Sequence, residues 1–196
     1  MKKVLLTTAL LAIVAGNSSA DISGKYVALE TGYTWTKASV QKKTAAPKIN
    51  YNQGGFGLFG KVGGGCNYSG VYVGGEFKGG KVFSKKKNGT TNLSRGWNLG
   101  VAGRVGGHID NDTLLYGRLG LDVDQYSYLR AGATRSGDIV TLSIVPGFGV
   151  DRKISQDVFV TAGVDFSKAV KVSSPAASKA SKFRSTSLRL GVGYQF

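Results

Sequence analysis

Acid–base chemistry near neutral pH calls first for a histidine, and this chain has one, His108, set in Gly107-His108-Ile109-Asp110-Asn111. A catalytic base must lie within hydrogen-bond reach of a nucleophile or a water. The residues around His108 have turn character instead, so it reads as a solvated turn residue and no catalytic residue is assigned. Gly55-Phe56-Gly57-Leu58-Phe59-Gly60 fits the dinucleotide pattern G-x-G-x-x-G. That pattern works where a strand ends and a helix N-terminus receives the pyrophosphate. Here apolar alternation runs on through Val62 and no helical period follows, so no cofactor is expected. Cys66 is the single cysteine, which provides neither a disulfide framework nor a thiolate metal cluster; it reads as a small hydrophobe within a strand. Asn88-Gly89-Thr90 and Asn92-Leu93-Ser94 match the glycosylation acceptor pattern, but Asn-Gly is more simply turn chemistry.

The remaining chemistry lies in charges that recur at every second position of otherwise apolar stretches, which is the period of a strand. Eight such segments are predicted: Tyr26 to Thr36, Gly54 to Cys66, Val71 to Phe83, Arg95 to Gly106, Leu114 to Tyr126, Ile139 to Val150, Val158 to Phe166 and Ser185 to Phe196. Each has about the 9 to 11 residues of a tilted membrane-spanning strand. Each segment carries on one face a run without charge, as in Val27, Leu29, Thr31, Tyr33 and Trp35, Val71, Val73, Gly75 and Phe77, or Trp97, Leu99, Val101, Gly103 and Val105. The other face carries Glu30, Lys61, Glu76, Lys78, Arg104, Arg118, Asp122, Asp124, Asp165 and Arg189, five acids and five bases. A soluble sandwich would place its charges outward and keep a charge-free core. Closed into a barrel, the same pattern puts lipid outside and a balanced ion-pair network inside, where an unpaired charge would be costly.

Other features agree with this arrangement. Thirty glycines in 196 residues are about twice ordinary usage, and they fall inside the alternating segments, as a crowded barrel interior requires. Tyr33, Trp35, Phe83, Trp97 and Phe166 toward one end, with Phe148, Tyr194 and Phe196 toward the other, form candidate interface girdles. Tyr26, Phe59, Tyr72 and Tyr116 fall on the lumen parity, and Pro146 in a closed ladder requires a bulge. The predicted connectors alternate between long (Lys37 to Gln53, Ser84 to Ser94, Lys168 to Arg184) and short (Asn67 to Gly70, Gly107 to Thr113, Asp151 to Asp157), with Ser127 to Asp138 intermediate in a long-loop slot.

At the amino end Met1-Lys2-Lys3, the apolar run Val4 to Ala15 and Ser18-x-Ala20 read as a cleaved secretory signal, 1–20. The competing membrane helix would need about 20 apolar residues. The expected mature domain is 21–196. At the other end Leu188, Leu190, Val192 and Tyr194 alternate up to Phe196. This ending resembles the assembly signal of bacterial outer-membrane barrels. The chain as a whole resembles the small eight-stranded outer-membrane proteins, meaning the barrel of outer-membrane protein A and the opacity-type surface proteins. The fold that this resemblance implies is all-β, an eight-stranded antiparallel up-and-down transmembrane β-barrel in the bacterial outer membrane. It also implies contact with outer-membrane lipid, lipopolysaccharide and the barrel assembly machinery, and a role as a non-enzymatic surface protein. A small channel is the first alternative and a barrel enzyme acting on lipid the second.

The formal net charge is +15, and removal of Lys2 and Lys3 with the signal leaves +13. The ten lumen charges cancel. The turn side is acidic, with Lys25, Arg152 and Lys153 against Asp21, Asp110, Asp112, Asp151 and Asp157. Sixteen bases then crowd the loop side, opposed by Asp138 alone. So one-sided a distribution attracts polyanions. Lys81, Arg95, Lys168 and Arg184 are expected at the rim, against lipopolysaccharide phosphates. Lys42, Lys43, Lys85, Lys86, Lys87, Lys179 and Lys182 are expected at the loop tips, facing acidic host glycans or host proteins. No specific nucleic acid is expected, because DNA would bind through the same electrostatics.

Overall fold

The computed structural model describes residues 24–40, 49–88, 91–130, 137–173 and 182–196. They form eight strands: β1 Gly24–Val40, β2 Ile49–Tyr68, β3 Val71–Asn88, β4 Thr91–Asp110, β5 Thr113–Arg130, β6 Gly137–Lys153, β7 Val158–Ser173 and β8 Lys182–Gln195. Each strand pairs antiparallel with its sequence neighbour, and β1 pairs with β8, so the sheet closes into an eight-stranded barrel with no free edge. Among the described residues no helix is long and apolar enough to cross a membrane. The expected signal, 1–20, lies outside the described residues.

Parity sorts the wall as the alternation demands. Leu29, Trp35, Phe56, Leu58, Val101, Leu119, Phe148, Leu190 and Val192 stand outward and exposed, an apolar surface suited to lipid. Glycine spacing follows from what lies inside. A Cβ added at Gly65 or Gly74 would come within 2.6 Å of the Tyr72 ring or hydroxyl, and one at Gly193 would come within 2.1 Å of the Phe159 ring. The aromatic side chains of the lumen thus occupy the room left by glycines on their own and neighbouring strands. The G-x-G-x-x-G stretch lies within β2, and a Cβ at Gly57 would meet the Phe59 ring at 2.6 Å.

The strands are longer than the alternation predicts. They run for 14 to 20 residues, and a strand of 18 rises about 45 Å when tilted, against an apolar band of about 25 Å. The excess lies at the loop end. The connector expected over Ser84 to Ser94 is a continued hairpin, with Lys85 opposite Ser94, Lys86 opposite Leu93 and Lys87 opposite Asn92. In water no lipid face enforces apolar alternation on such a ribbon, whose β4 arm is held by the backbone ladder to both neighbouring strands.

Turns at the opposite end are tight. Ser69 and Gly70 both take positive φ, 50° and 83°, the two-residue hairpin pattern whose twist matches its strands. Between β4 and β5 the Asp112 N–H donates to the Asp110 carboxylate at 2.9 Å, and this hydrogen bond holds the Asp110 carboxyl below its usual range. Pro146 sits where pairing of β6 with β7 lapses, between Ile144↔Lys168 and Gly147↔Asp165; nearby, Val170 is an extra residue in β7. The missing amide therefore costs no ladder bond at that place.

Candidate functional site

The alternating charges meet inside the barrel, each at most 6 % exposed. At mid-height Lys61 Nζ lies 2.7 Å from Glu30 and 3.3 Å from Glu76. Arg118 spans Glu76 at 2.7 Å and Asp165 at 2.5 Å. Arg189 spans Glu30 at 3.0 Å and Asp165 at 2.8 Å. Lys78 pairs with Asp122 at 2.9 Å and reaches toward Asp165 at 3.8 Å. Asn98 donates to Asp122 at 3.2 Å and Asp124 at 2.8 Å, which links these carboxylates to the chain of charges.

Two members of this network were expected elsewhere. Arg95, expected at the rim against lipopolysaccharide, is buried and pairs with Asp124 at 2.7 Å. Its sequence parity matches that of outward Trp97, but β4 carries one extra residue relative to β5 between Arg95 and Asn98. This bulge turns Arg95 inward. Asp151, expected in a turn, is one residue past the predicted end of its strand and remains in β6, where it pairs with Arg104. The lumen thus holds six acids and six bases and stays formally neutral.

Aromatic and apolar layers seal this network at both ends. Toward the turns the Arg104 guanidinium lies 3.6 Å from the Tyr116 ring centroid and 5.6 Å from that of Tyr72. It donates to the Tyr26 hydroxyl at 2.8 Å, which in turn donates to Glu76 at 3.0 Å. Toward the loops Ala38, Tyr126, Ile139 and Phe183 form a buried cluster, with the Tyr126 and Phe183 rings 4.8 Å apart. Such an interior can hold a wall rigid.

Among the described residues no group of histidine, cysteine and carboxylate side chains is placed to hold a metal ion. His108 lies in β4 opposite Leu114 rather than in the turn, and its Nε2 is 3.2 Å from Asn67 Nδ2. Cys66 is exposed on the outward face of β2.

The basic residues divide by location. Lys37, Lys81, Lys168, Lys182 and Arg184 are exposed on the outer wall. Lys81 lies over the Phe83 ring at 5.6 Å. Lys85, Lys86 and Lys87 continue β3, while Lys42, Lys43 and Lys179 lie outside the described residues. With Arg95 and Asp151 moved inward, the described residues leave ten bases on the loop side, Lys37, Lys81, Lys85, Lys86, Lys87, Arg130, Lys168, Lys171, Lys182 and Arg184, opposed by Asp138. At the closing seam Leu188, Leu190, Val192 and Tyr194 face outward. Phe196 donates its amide to the Lys25 carbonyl at 2.8 Å, and its ring lies 5.1 Å from that of Tyr194.

A family of sequences described as the outer membrane protein beta-barrel domain matches residues 5–196. No curated protein sequence matches the chain. Among solved structures, the chain is similar to Neisserial surface protein A, with 17 % identity, a TM-score of 0.57, and coverage of 92 % of this chain and 100 % of that one. Ail, the attachment invasion locus protein of Yersinia pestis, gives 19 % identity and a TM-score of 0.54 over 87 % of this chain and 98 % of its own; it has also been solved with the heparin analogue sucrose octasulfate. OprG from Pseudomonas aeruginosa gives 14 % identity and a TM-score of 0.55 over 92 % and 99 %. At these identities the likeness is one of fold.

Proposed function

From the premise that this chain belongs to the outer membrane protein β-barrel domain family, and so resides in the bacterial outer membrane, we propose that it is a non-enzymatic surface barrel whose basic loop end binds polyanions. The observation that carries this reading is the separation of charge. The lumen neutralises itself, and among the described residues ten bases against one acid are left at one end. A field of that sign and asymmetry concentrates anionic ligands and steers their approach. Short turns at the opposite end fit the periplasmic side of such barrels, which supports a reading in which the bases face outside the cell, toward lipopolysaccharide and acidic host surfaces.

Lys85, Lys86 and Lys87 extend the β3–β4 ribbon, and Lys182 begins β8; with Lys42, Lys43 and Lys179 they are the proposed contacts. Ail, a barrel of the same fold, has been crystallised with a heparin analogue, which makes heparin the natural first probe. Refolded protein is expected to bind a heparin column, to elute earlier as salt rises, and to elute at markedly lower salt once Lys85, Lys86 and Lys87 are changed to Gln. Retention indifferent to both salt and these changes would overturn the reading.

A further inference from the structure

The barrel wall is closed up to a definite height and divides above it. Between β2 and β3 the ladder ends at Phe56↔Phe83. The two backbones still touch one step higher, where a Cβ on Gly55 would lie 2.7 Å from the Phe83 carbonyl oxygen. Beyond that point each strand keeps only its other neighbour. β2 stays paired with β1 up to Ile49 opposite Val40, and β3 stays paired with β4 from Lys85 opposite Ser94 to Asn88 opposite Thr91. Among the described residues no register pair joins 49–54 to 85–88. Two strand edges therefore border one cleft, in the part of the wall that rises beyond the apolar band. The backbone N–H and C=O groups on those sides form an open template for a further strand.

The root of this cleft is built from polar side chains with bonding capacity left. Ser84 is the register partner of Arg95, and Gln53 is the next inward residue of β2 above Gly55. All three are at most 7 % exposed. Arg95 gives Nη2 to Asp124 at 2.7 Å, while its Nε and Nη1, the Ser84 Oγ and both amide atoms of Gln53 have no hydrogen-bond partner among the described residues. Buried polar groups are seldom left in that condition, and here they adjoin backbone that is itself unpaired. The wall also divides between β7 and β8 above Lys168↔Arg184. On neither of those strands does a described residue above that pair carry an unpartnered buried side-chain atom.

Charge sets the kind of strand the cleft would take. Neither edge contains an acid: 49–55 reads Ile-Asn-Tyr-Asn-Gln-Gly-Gly and 84–88 reads Ser-Lys-Lys-Lys-Asn. Lysines on an open edge repel a second copy of that edge, and the same charges favour a strand of opposite sign. We infer that the open side of β3 above Ser84 receives an extended acidic peptide of a partner protein as an added strand. The peptide backbone completes the ladder, and its polar side chain nearest the root takes the unpartnered atoms of Gln53, Ser84 and Arg95. A sulfated glycan would answer the lysines, but it has no regular alternation of N–H and C=O groups to pair with the edge. The inference rests on the reading of the loop end as anion-binding and makes the anion a carboxylate-bearing peptide held by its backbone.

The test uses the full refolded barrel in zwitterionic detergent and a fluorescent octapeptide of alternating Asp and Thr, read by anisotropy. An added strand bonds to the edge through the N–H groups of one parity alone. N-methylation of that parity is expected to weaken binding about tenfold or more, because several ladder bonds are lost, and N-methylation of the other parity to change it by less than about twofold. The charge of the peptide is the same in all three forms. The Gln53→Leu/Ser84→Ala variant, which keeps every charge of the barrel, is expected to bind the unmodified peptide about threefold or more weakly and to hold heparin as before. Equal affinity of the two methylated forms, or full affinity of the Gln53→Leu/Ser84→Ala variant, would overturn the inference. Loss of heparin retention on changing Lys85, Lys86 and Lys87 to Gln, without a parity difference, would sink strand addition and leave the polyanion reading standing. A parity difference in a barrel whose heparin retention ignores both salt and those changes would do the reverse.

Discussion

Arg118 shows what the charged interior does at the scale of one residue. Its guanidinium spans Glu76 and Asp165, with both carboxylates buried. Removing it leaves two acids in a core whose other bases are already engaged. Arg118→Leu is therefore expected to lower unfolding free energy by about 3 to 5 kcal/mol, as for other broken buried pairs, measured by urea titration of the refolded barrel. A loss below about 1 kcal/mol would mean that water enters and screens the pair. The network's ten alternating members could be read from parity because each lies in a strand's regular middle. Arg95 and Asp151 could not: a bulge reverses the first, and the second is one residue past the point where apolar alternation stops. The aromatic layers above and below were half legible. Tyr26, Tyr72 and Tyr116 showed their inward parity, but Tyr126, Ile139 and Phe183 close the loop end through packing that links three separate strands.

At the scale of the element, the strands divide into a lower part dictated by lipid and an upper part held by backbone pairing. The lower part was legible, since an apolar residue at every second position is what a hydrocarbon boundary imposes. The ribbons at the loop end were not, because Lys, Ser and Asn there follow no apolar period. β8 is the element on which closure depends, since it must pair with β7 and β1 at once. Its alternating outer residues lead to Phe196, whose amide bonds back to β1 and whose ring packs on Tyr194. Phe196→Asp is expected to leave export intact while reducing the heat-modifiable, assembled form in the outer membrane, read by gel shift of membrane fractions. Normal assembly of that variant would remove the basis for assigning Leu188, Leu190, Val192, Tyr194 and Phe196 to recognition by the assembly machinery.

At the scale of the molecule, the described lumen is lined by charged and aromatic side chains along its length. Eight strands leave a lumen that side chains can occupy, and here the ion network lies between the Arg104 aromatic layer and the cluster around Tyr126. Refolded protein in planar bilayers at neutral pH is therefore expected to give no reproducible single-channel steps; regular conductance would show that one of these layers opens. On the proposed reading, activity belongs to the outside. β7, β8 and β1 stay hydrogen-bonded above the aromatic row, so their outward bases occupy a lattice of about 4.8 Å across strands and about 6.8 Å between same-face residues along them. That lattice is a ruler. On the proposed polyanion-binding reading, a polymer whose anionic groups repeat at commensurate intervals would engage several cations without the ordering cost that a loose segment would impose, whereas one of equal charge and mismatched spacing would engage them one at a time.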